Sequence, residues 1–272
     1  MAGQRTFRDF ELDGWSARAP NYDALFATVT NDAIEPLLNG AGVEARTALL
    51  DLCCGTGDLV SAALARGADA TGVDFSPEMV RIARGKFPDA RFETGDAEAL
   101  PFGDGTFDAV TCAFGLLHIE RPERALSEAA RALAPGGRIA YATWLGPEDG
   151  HDVFRIVNDA LALHGSPDAD LPAAPSPFLL AERASAEPML HRAGFDEIRF
   201  EKRGSRSVHA DGEDVIKLLQ RAIVRVPMMI DAQPAPNRQR VLDAIRSAAE
   251  ERFRDGRIVL DWPYVIVTAR KA

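Results

Sequence analysis

The sequence predicts an α/β fold, a doubly wound and mostly parallel sheet with helices packed on both faces. Three observations carry that expectation. Between Thr47 and Trp144, short apolar runs alternate with helical patterns, the βαβα rhythm of parallel strands joined by crossover helices. The runs Ala48–Leu52, Ala70–Asp74, Arg91–Thr94, Ala109–Ala113 and Arg138–Thr143 have the length and composition of strands. A glycine-bearing stretch, Cys53-Cys54-Gly55-Thr56-Gly57-Asp58, follows the first run directly, where a strand must bend sharply into a helix.

The intervening helices read as Leu59–Arg66, Pro77–Lys86 and Arg124–Leu133. The start of the second is well marked: Ser76 can cap it, Pro77 suits the first helical position, and Glu78 suits the positive helix end. Past Trp144 the texture changes. The proline-bearing stretch Gly146–Pro188 reads as partly irregular, with a short helix around Val153–His164. Ala186–Ala193 then looks helical and is stopped by Gly194, and Phe195–Lys202 looks like a strand. In Glu213–Val226, the residues Val215, Ile216, Leu219, Ala222, Ile223 and Val226 share one helical face. Val241, Leu242, Ile245, Ala248, Ala249 and Phe253 mark another helix. Tyr264–Ala269 closes the chain as a strand. No internal repeat or low-complexity tract interrupts this plan.

Composition narrows the function. The 272 residues are 46% hydrophobic and 26% charged, which suits one generous globular domain and excludes wholesale disorder. A balance of 31 basic against 41 acidic residues gives a net charge of −10, a surface that repels a phosphate backbone, so no nucleic-acid partner is expected. No apolar run is long enough to span a bilayer. The polar stretch Met1–Leu12 has no apolar signal core, so a cytoplasmic address is expected. Three cysteines, two of them adjacent and none in CxxC spacing, read as reduced thiols without a zinc site.

The glycine turn offers helix N–H groups to a ligand's negative charge. It departs from the G-x-G-x-x-G of nicotinamide binders, because the third glycine position is Val60. Two acids point to a nucleoside instead. Asp74 ends the second strand, where a carboxylate can accept both ribose hydroxyl hydrogens. Asp96, in Thr94-Gly95-Asp96-Ala97-Glu98, follows the third and can accept from an adenine amino group. Phe107-Asp108-Ala109-Val110 opens the fourth strand, and Leu133-Ala134-Pro135-Gly136-Gly137-Arg138 is the turn entering the fifth.

These motifs, in this order, resemble the class I S-adenosylmethionine-dependent methyltransferases, particularly the type 11 group that includes quinone-biosynthesis C-methyltransferases. The resemblance covers Thr47–Trp144 strongly and Trp15–Phe26 weakly. It implies a Rossmann-like, doubly wound seven-stranded sheet, mostly parallel with the last strand antiparallel, interrupted by helical cap insertions. A single domain would place its core near 44–145, 184–204 and 258–272, and its cap near 1–30, 146–183 and 205–257. The implied cofactor is S-adenosyl-L-methionine, with S-adenosyl-L-homocysteine as product and a small-molecule acceptor; monomer and homodimer stay open.

By the same resemblance, Asp51 and the turn Cys53, Gly55, Thr56 and Gly57 hold the methionine part. Asp74 binds the ribose, while Phe75 packs on the adenine with Met79 nearby. Gly95, Asp96 and the Ala97 backbone read the adenine edge. Ala113 and Phe114 complete the set, with Tyr22 and His118 as contacts that are also candidates for catalysis. Cys53 departs from the family's usual glycine or alanine and is small enough to fit.

Methyl transfer by in-line displacement needs positioning above all and a base only where the acceptor must lose a proton. The stretch Thr111-Cys112-Ala113-Phe114-Gly115 lacks the Asn/Asp-Pro-Pro-Tyr-like turn of nucleobase and amide N-methyltransferases. It also lacks clustered acidic ligands, so no metal is expected. His118 lies just beyond the fourth strand, where it can act as general base or merely pack beside the cofactor. Tyr22, on an N-terminal helix, can touch the cofactor or serve as a helix contact. Trp15, Met228, Met229 and Ile230 read as packing residues unless they line the acceptor pocket, which Trp144 could border. His151, His164, His191 and His209 read as surface or packing residues. Two other functions compete with methyl transfer: a cofactor-binding regulator without turnover and, more remotely, a nicotinamide-dependent oxidoreductase.

Overall fold

The computed structural model describes residues 6–166 and 173–272. The expectations for Met1–Arg5 and for the proline-bearing stretch at 167–172 lie outside the described residues. The strands are β1 (Ala48–Leu52), β2 (Asp69–Asp74), β3 (Arg91–Thr94), β4 (Phe107–Ala113), β5 (Leu133–Trp144), β6 (Phe195–His209), β7 (Phe253–Arg254) and β8 (Arg257–Lys271). They form one sheet in the order β3-β2-β1-β4-β5-β8-β6, with β7 paired to β8 off this path. The pairs from β3 through β5 are parallel and β8 runs antiparallel to β5, so the expected doubly wound, mostly parallel architecture is found. The chain divides into two compact units. The first comprises Thr30–Trp144, Ala174–Arg203 and Tyr264–Ala272; the second comprises Met1–Val29, Leu145–Ala173 and Gly204–Pro263.

In the first unit, Leu49, Leu50 and Leu52 of β1 are fully buried, a continuous apolar run of the kind a strand covered on both faces requires. Each such leucine contributes about 1.5–3 kcal/mol by leaving water. The crossover helices Asp58–Ala65, Pro77–Lys86 and Pro122–Ala132 occupy the expected places. Ser76 caps the second of them, its hydroxyl accepting from the Met79 amide at 3.3 Å, with Pro77 in the first turn. Strand β5 starts earlier than expected. The Pro135-Gly136-Gly137 segment is an irregularity within the strand, with Gly136 at φ 76° and a register shift against β4 between Phe107 and Ala109.

The second unit holds the helices Phe7–Leu25, Asp152–His164, Gly212–Ala222, Arg225–Asp231 and Ala235–Glu250. Thr6 and Asp9 form a capping box at the first. A buried Glu11 pairs with Arg225 at 3.1 Å, and the Arg225 guanidinium lies 4.7 Å from the Phe7 ring centroid.

Two local expectations need correction. The single helix over Glu213–Val226 is two helices, because Ile223 is extended (φ −124°, ψ 160°). Pro227 has no N–H to continue a helix; it sits instead in the first turn of Arg225–Asp231, where no intrahelical donor is needed. The helix carrying Val241 and Ile245 ends at Glu250, so Phe253 lies not on it but in the extra strand β7. Asp255 and Gly256, at φ 51° and 83°, make the two-residue turn between β7 and β8, an Asp-Gly pair suited to a primed hairpin turn. His151 and His209 are both buried. His151 accepts from the Phe154 amide as a helix cap at 3.4 Å. His209 lies between the Ser207 hydroxyl at 2.7 Å and the Asp214 carboxylate at 3.4 Å, and Ser207 also accepts from the Trp262 indole N–H at 2.8 Å.

Candidate active site at the carboxyl ends of the parallel strands

From β1 the chain winds outward through β2 to β3, then returns to the other side of β1 with β4 and β5. That reversal leaves a crevice outside the carboxyl ends of β1 and β4, where open α/β sheets bind ligands. Register aligns Asp51 with Gly72 on β2 and with Thr111 on β4, and aligns Asp74 with Thr94 on β3.

The loop after β1 is built from left-handed residues: Cys53 at φ 54°, Gly55 at 53° and Gly57 at 92°. The two glycines serve different ends. A Cβ on Gly57 would stand 2.6 Å from the Phe92 ring, so glycine is required for close packing, whereas a Cβ on Gly55 would meet nothing within 4 Å. Gly55 therefore presents bare backbone to open space, as close approach of a ligand requires. Asp74 fixes this loop: its carboxylate accepts from the Gly55 amide at 3.0 Å and from the Ser76 amide at 2.8 Å. Asp51 accepts from the Thr111 hydroxyl at 2.8 Å.

Both carboxyl groups are buried and both are held by neutral donors. Burial pushes Asp51 up to about 8, opposed by the Thr111 hydrogen bond and reinforced by the charge of Asp74. Burial also pushes Asp74 up to about 6, opposed by its two amide bonds. Such a pair is prepared to accept hydrogen bonds from hydroxyls or to meet a cation. The thiols nearby are kept protonated. Cys53 is pushed well up first by its hydrogen bond with Cys112 and then by burial, and Cys54 is pushed up by burial above all, so neither has the thiolate character of a nucleophile.

Beyond β3, the Gly95 amide donates to the Asp74 carbonyl at 3.0 Å, and the half-buried Asp96 accepts from the Glu98 amide at 2.9 Å while Ala97 is buried. The buried Glu98 in turn accepts from Arg121 Nε at 2.6 Å, tying this loop to the start of Pro122–Ala132. Beyond β4, Phe114 is left-handed at φ 57°. Its ring stacks on Trp144 at 3.8 Å and meets Tyr264 edge-on at 5.5 Å. His118 is half-buried in the short turn Leu116–His118, its amide donating to the Gly115 carbonyl at 2.9 Å.

Asp51, Cys53, Gly55, Thr56, Gly57, Asp74, Phe75, Gly95, Asp96, Ala97, Ala113, Phe114 and His118 all lie at or just after the carboxyl ends of β1–β4. Met79 sits buried in the first turn of the helix after β2. Tyr22 belongs to the other unit, on Phe7–Leu25, with its ring edge-on to Trp15 and Phe26 at 6.0 and 5.9 Å. Sequence reasoning overlooked Thr111, Gly115 and Tyr264. Gly115 carried a usable signal, a glycine next to the end of β4; a Cβ there would stand 2.3 Å from that of Cys53. Among the described residues, no group of three or more His, Cys, Asp or Glu side chains is placed to hold a metal ion, and no helix is long and apolar enough to cross a membrane.

Residues 49–137 match a family described as a methyltransferase domain. The demethylmenaquinone methyltransferase of Renibacterium salmoninarum is 34% identical over 179 residues, covering 62% of this chain and 68% of that protein. Its counterpart from Thermus thermophilus is 47% identical over 108 residues, 38% of this chain and 49% of that one, so the chain spans only about half the length of this second relative. A phosphoethanolamine N-methyltransferase of Haemonchus contortus, solved with phosphomonomethylethanolamine and S-adenosylhomocysteine, shares the fold. It has a TM-score of 0.59 at 17% identity, over 98% of this chain and 60% of that one. Identity of 34% sustained over 68% of the Renibacterium protein makes this chain a member of the class I S-adenosylmethionine-dependent methyltransferases, in the quinone-biosynthesis group, and so an enzyme of small-molecule methylation.

Proposed function

We propose that the protein binds S-adenosylmethionine across the carboxyl ends of β1–β4 and methylates a quinol-like acceptor. The observation that carries this reading is the pair of buried carboxyl groups, Asp51 and Asp74, held by neutral donors beside the open backbone of Gly55. Their chemistry fits the group. Asp51 suits the cationic amino-acid end. Asp74 uses one lone pair of each oxygen on the Gly55 and Ser76 amides and keeps the others for ribose hydroxyls. Phe75 offers a half-buried ring to the adenine, and Asp96 with the Ala97 backbone suits the adenine edge. When bound, the cofactor supplies an electrophilic methyl group on a sulfonium.

The remaining work of the chain is positioning. The turn from Cys53 to Gly57, held by Asp74, and the stacked Phe114 and Trp144 are the groups available for it, and exclusion of water protects the transfer. His118 is the candidate to take a proton from an acceptor that must lose one. No metal is assigned a role. The acceptor assignment follows the two relatives named for demethylmenaquinone. The test is transfer of labelled methyl from S-adenosylmethionine to reduced demethylmenaquinone, read as a product heavier by one CH2. Tight binding of S-adenosylhomocysteine without transfer to any quinol-like acceptor would overturn the acceptor assignment and leave the cofactor reading standing.

A further inference from the structure

We infer that Thr111 is a positioning residue for cofactor binding, its hydroxyl anchoring the Asp51 carboxylate as the acceptor for the cationic amino-acid end of S-adenosylmethionine. The inference rests on the proposed reading of Asp51 and adds a residue that touches no ligand itself. Thr111 lies within Ala109-Val110-Thr111-Cys112-Ala113, a strand interior where valine would have the same shape and equal strand preference. A hydroxyl at 0% exposure is costly to bury unless it is bonded. It is bonded, to Asp51 Oδ1 at 2.8 Å, and the two residues are register partners on adjacent parallel strands. A β-branched side chain has few rotamers, so the donor direction is fixed by the backbone of β4.

The bond also opposes the environment of Asp51. Burial raises that carboxyl, and the charge of Asp74 facing it from β2 raises it further. Cys54, which faces it from the loop after β1, stays a neutral thiol because its own ionisation is pushed well up. The Thr111 hydroxyl is the group that acts in the other direction, favouring the charged form that a cationic ligand needs. Losing it leaves Asp51 neutral over a wider pH range and free to rotate.

The experiment is calorimetric titration with S-adenosylhomocysteine from about pH 6 to about pH 9, the range around the shifted carboxyl groups. It uses Thr111→Val, Thr111→Ser, Asp51→Asn and the Thr111→Val/Asp51→Asn double variant, each shown to melt cooperatively; Thr111→Ala serves if the valine variant does not fold. Thr111→Val weakens binding about three- to tenfold near neutral pH, the range of one hydrogen bond, and moves the rise of affinity with pH to more alkaline values. Thr111→Ser restores both, and Thr111→Val has no further effect once Asp51 is asparagine. A folded Thr111→Val with the parent affinity and pH profile overturns the inference, as does an equal loss in the Asp51→Asn background. Unchanged affinity in Asp51→Asn overturns the reading of Asp51 itself, whatever Thr111 does.

Discussion

Asp74 combines two jobs that a pair of substitutions separates. Its carboxylate holds the Gly55 and Ser76 amides at 3.0 and 2.8 Å, and it is the proposed acceptor for ribose hydroxyls. Asp74→Ala strands two backbone donors at a cost of about 1–3 kcal/mol each, and it also removes the acceptor for the ligand. The buried carboxyl has a cost of its own. Raised from 3.8 to about 6, it binds a proton in the folded chain that the unfolded chain has already lost. Stability from this group is thus fully present below about pH 4 and declines as pH rises to about 6. The decline is about 3 kcal/mol, at 1.36 kcal/mol for each pKa unit. Asp74→Asn keeps an oxygen acceptor and removes the titration, so its stability lacks that decline and gains on the parent as pH rises from 4 to 6. Its affinity for S-adenosylhomocysteine falls less than that of Asp74→Ala, which loses about 1–3 kcal/mol, on the order of five- to 150-fold. Denaturant titrations from about pH 4 to about pH 8, together with calorimetry at the alkaline end, read both effects. Parent affinity in a folded Asp74→Ala refutes the ribose assignment. A parent-like pH slope in Asp74→Asn refutes the claim that this carboxyl is raised by burial.

Other substitutions test the frame around the site. Gly115→Ala brings a methyl to 2.3 Å from the Cys53 Cβ and 2.9 Å from the Cys112 sulfur; the overpacking lowers stability by about 1–3 kcal/mol in thermal or denaturant melts and weakens cofactor binding by displacing the loop. Gly57→Ala adds a left-handed backbone penalty of about 1–2 kcal/mol to its contact with Phe92, and its melt falls likewise. Methyl transfer survives saturating chelator; a loss restored by magnesium would show a metal role at odds with the loop chemistry.

The parallel half of the fold was legible because local rules and tertiary context agree there. Ser76, Pro77 and Glu78 mark a helix start that the structure keeps to the residue, and the leucines of β1 announce a strand buried on both faces. Legibility failed where a signal shorter than one helical turn competed with a longer periodic pattern. The apolar spacing through Ile223 and Val226 suggested one helix, yet Pro227 lies where a continuing helix needs a donor. The spacing through Phe253 suggested another, yet Asp255-Gly256 two residues later is a hairpin signal in its own right. In both cases a short punctuating signal, a single proline or an Asp-Gly pair, overrides the wider apolar pattern.

The site divides along a different line. The acids at strand ends and the glycine turn could be found because their spacing along the chain follows the strand–helix rhythm. Thr111 could not be found that way: its partner is 60 residues distant, and only the parallel register of β1 with β4 brings hydroxyl and carboxylate together. Phe114, Trp144 and Tyr264 likewise meet through the sheet order β4-β5-β8, which the chain order of the strands does not give. Cys53 shows how backbone geometry alters a reading made from size alone. Cysteine was acceptable there as a small residue, but its φ of 54° means that what the position favours is a residue tolerant of the left-handed region, and glycine meets that condition without strain. Cys53→Gly therefore relieves up to about 1–2 kcal/mol of backbone strain while losing the contact with Cys112, two effects of opposite sign. A higher melting point in Cys53→Gly would show that the strain outweighs the packing. A lower one would show that the thiol pair holds the loop against its own backbone preference.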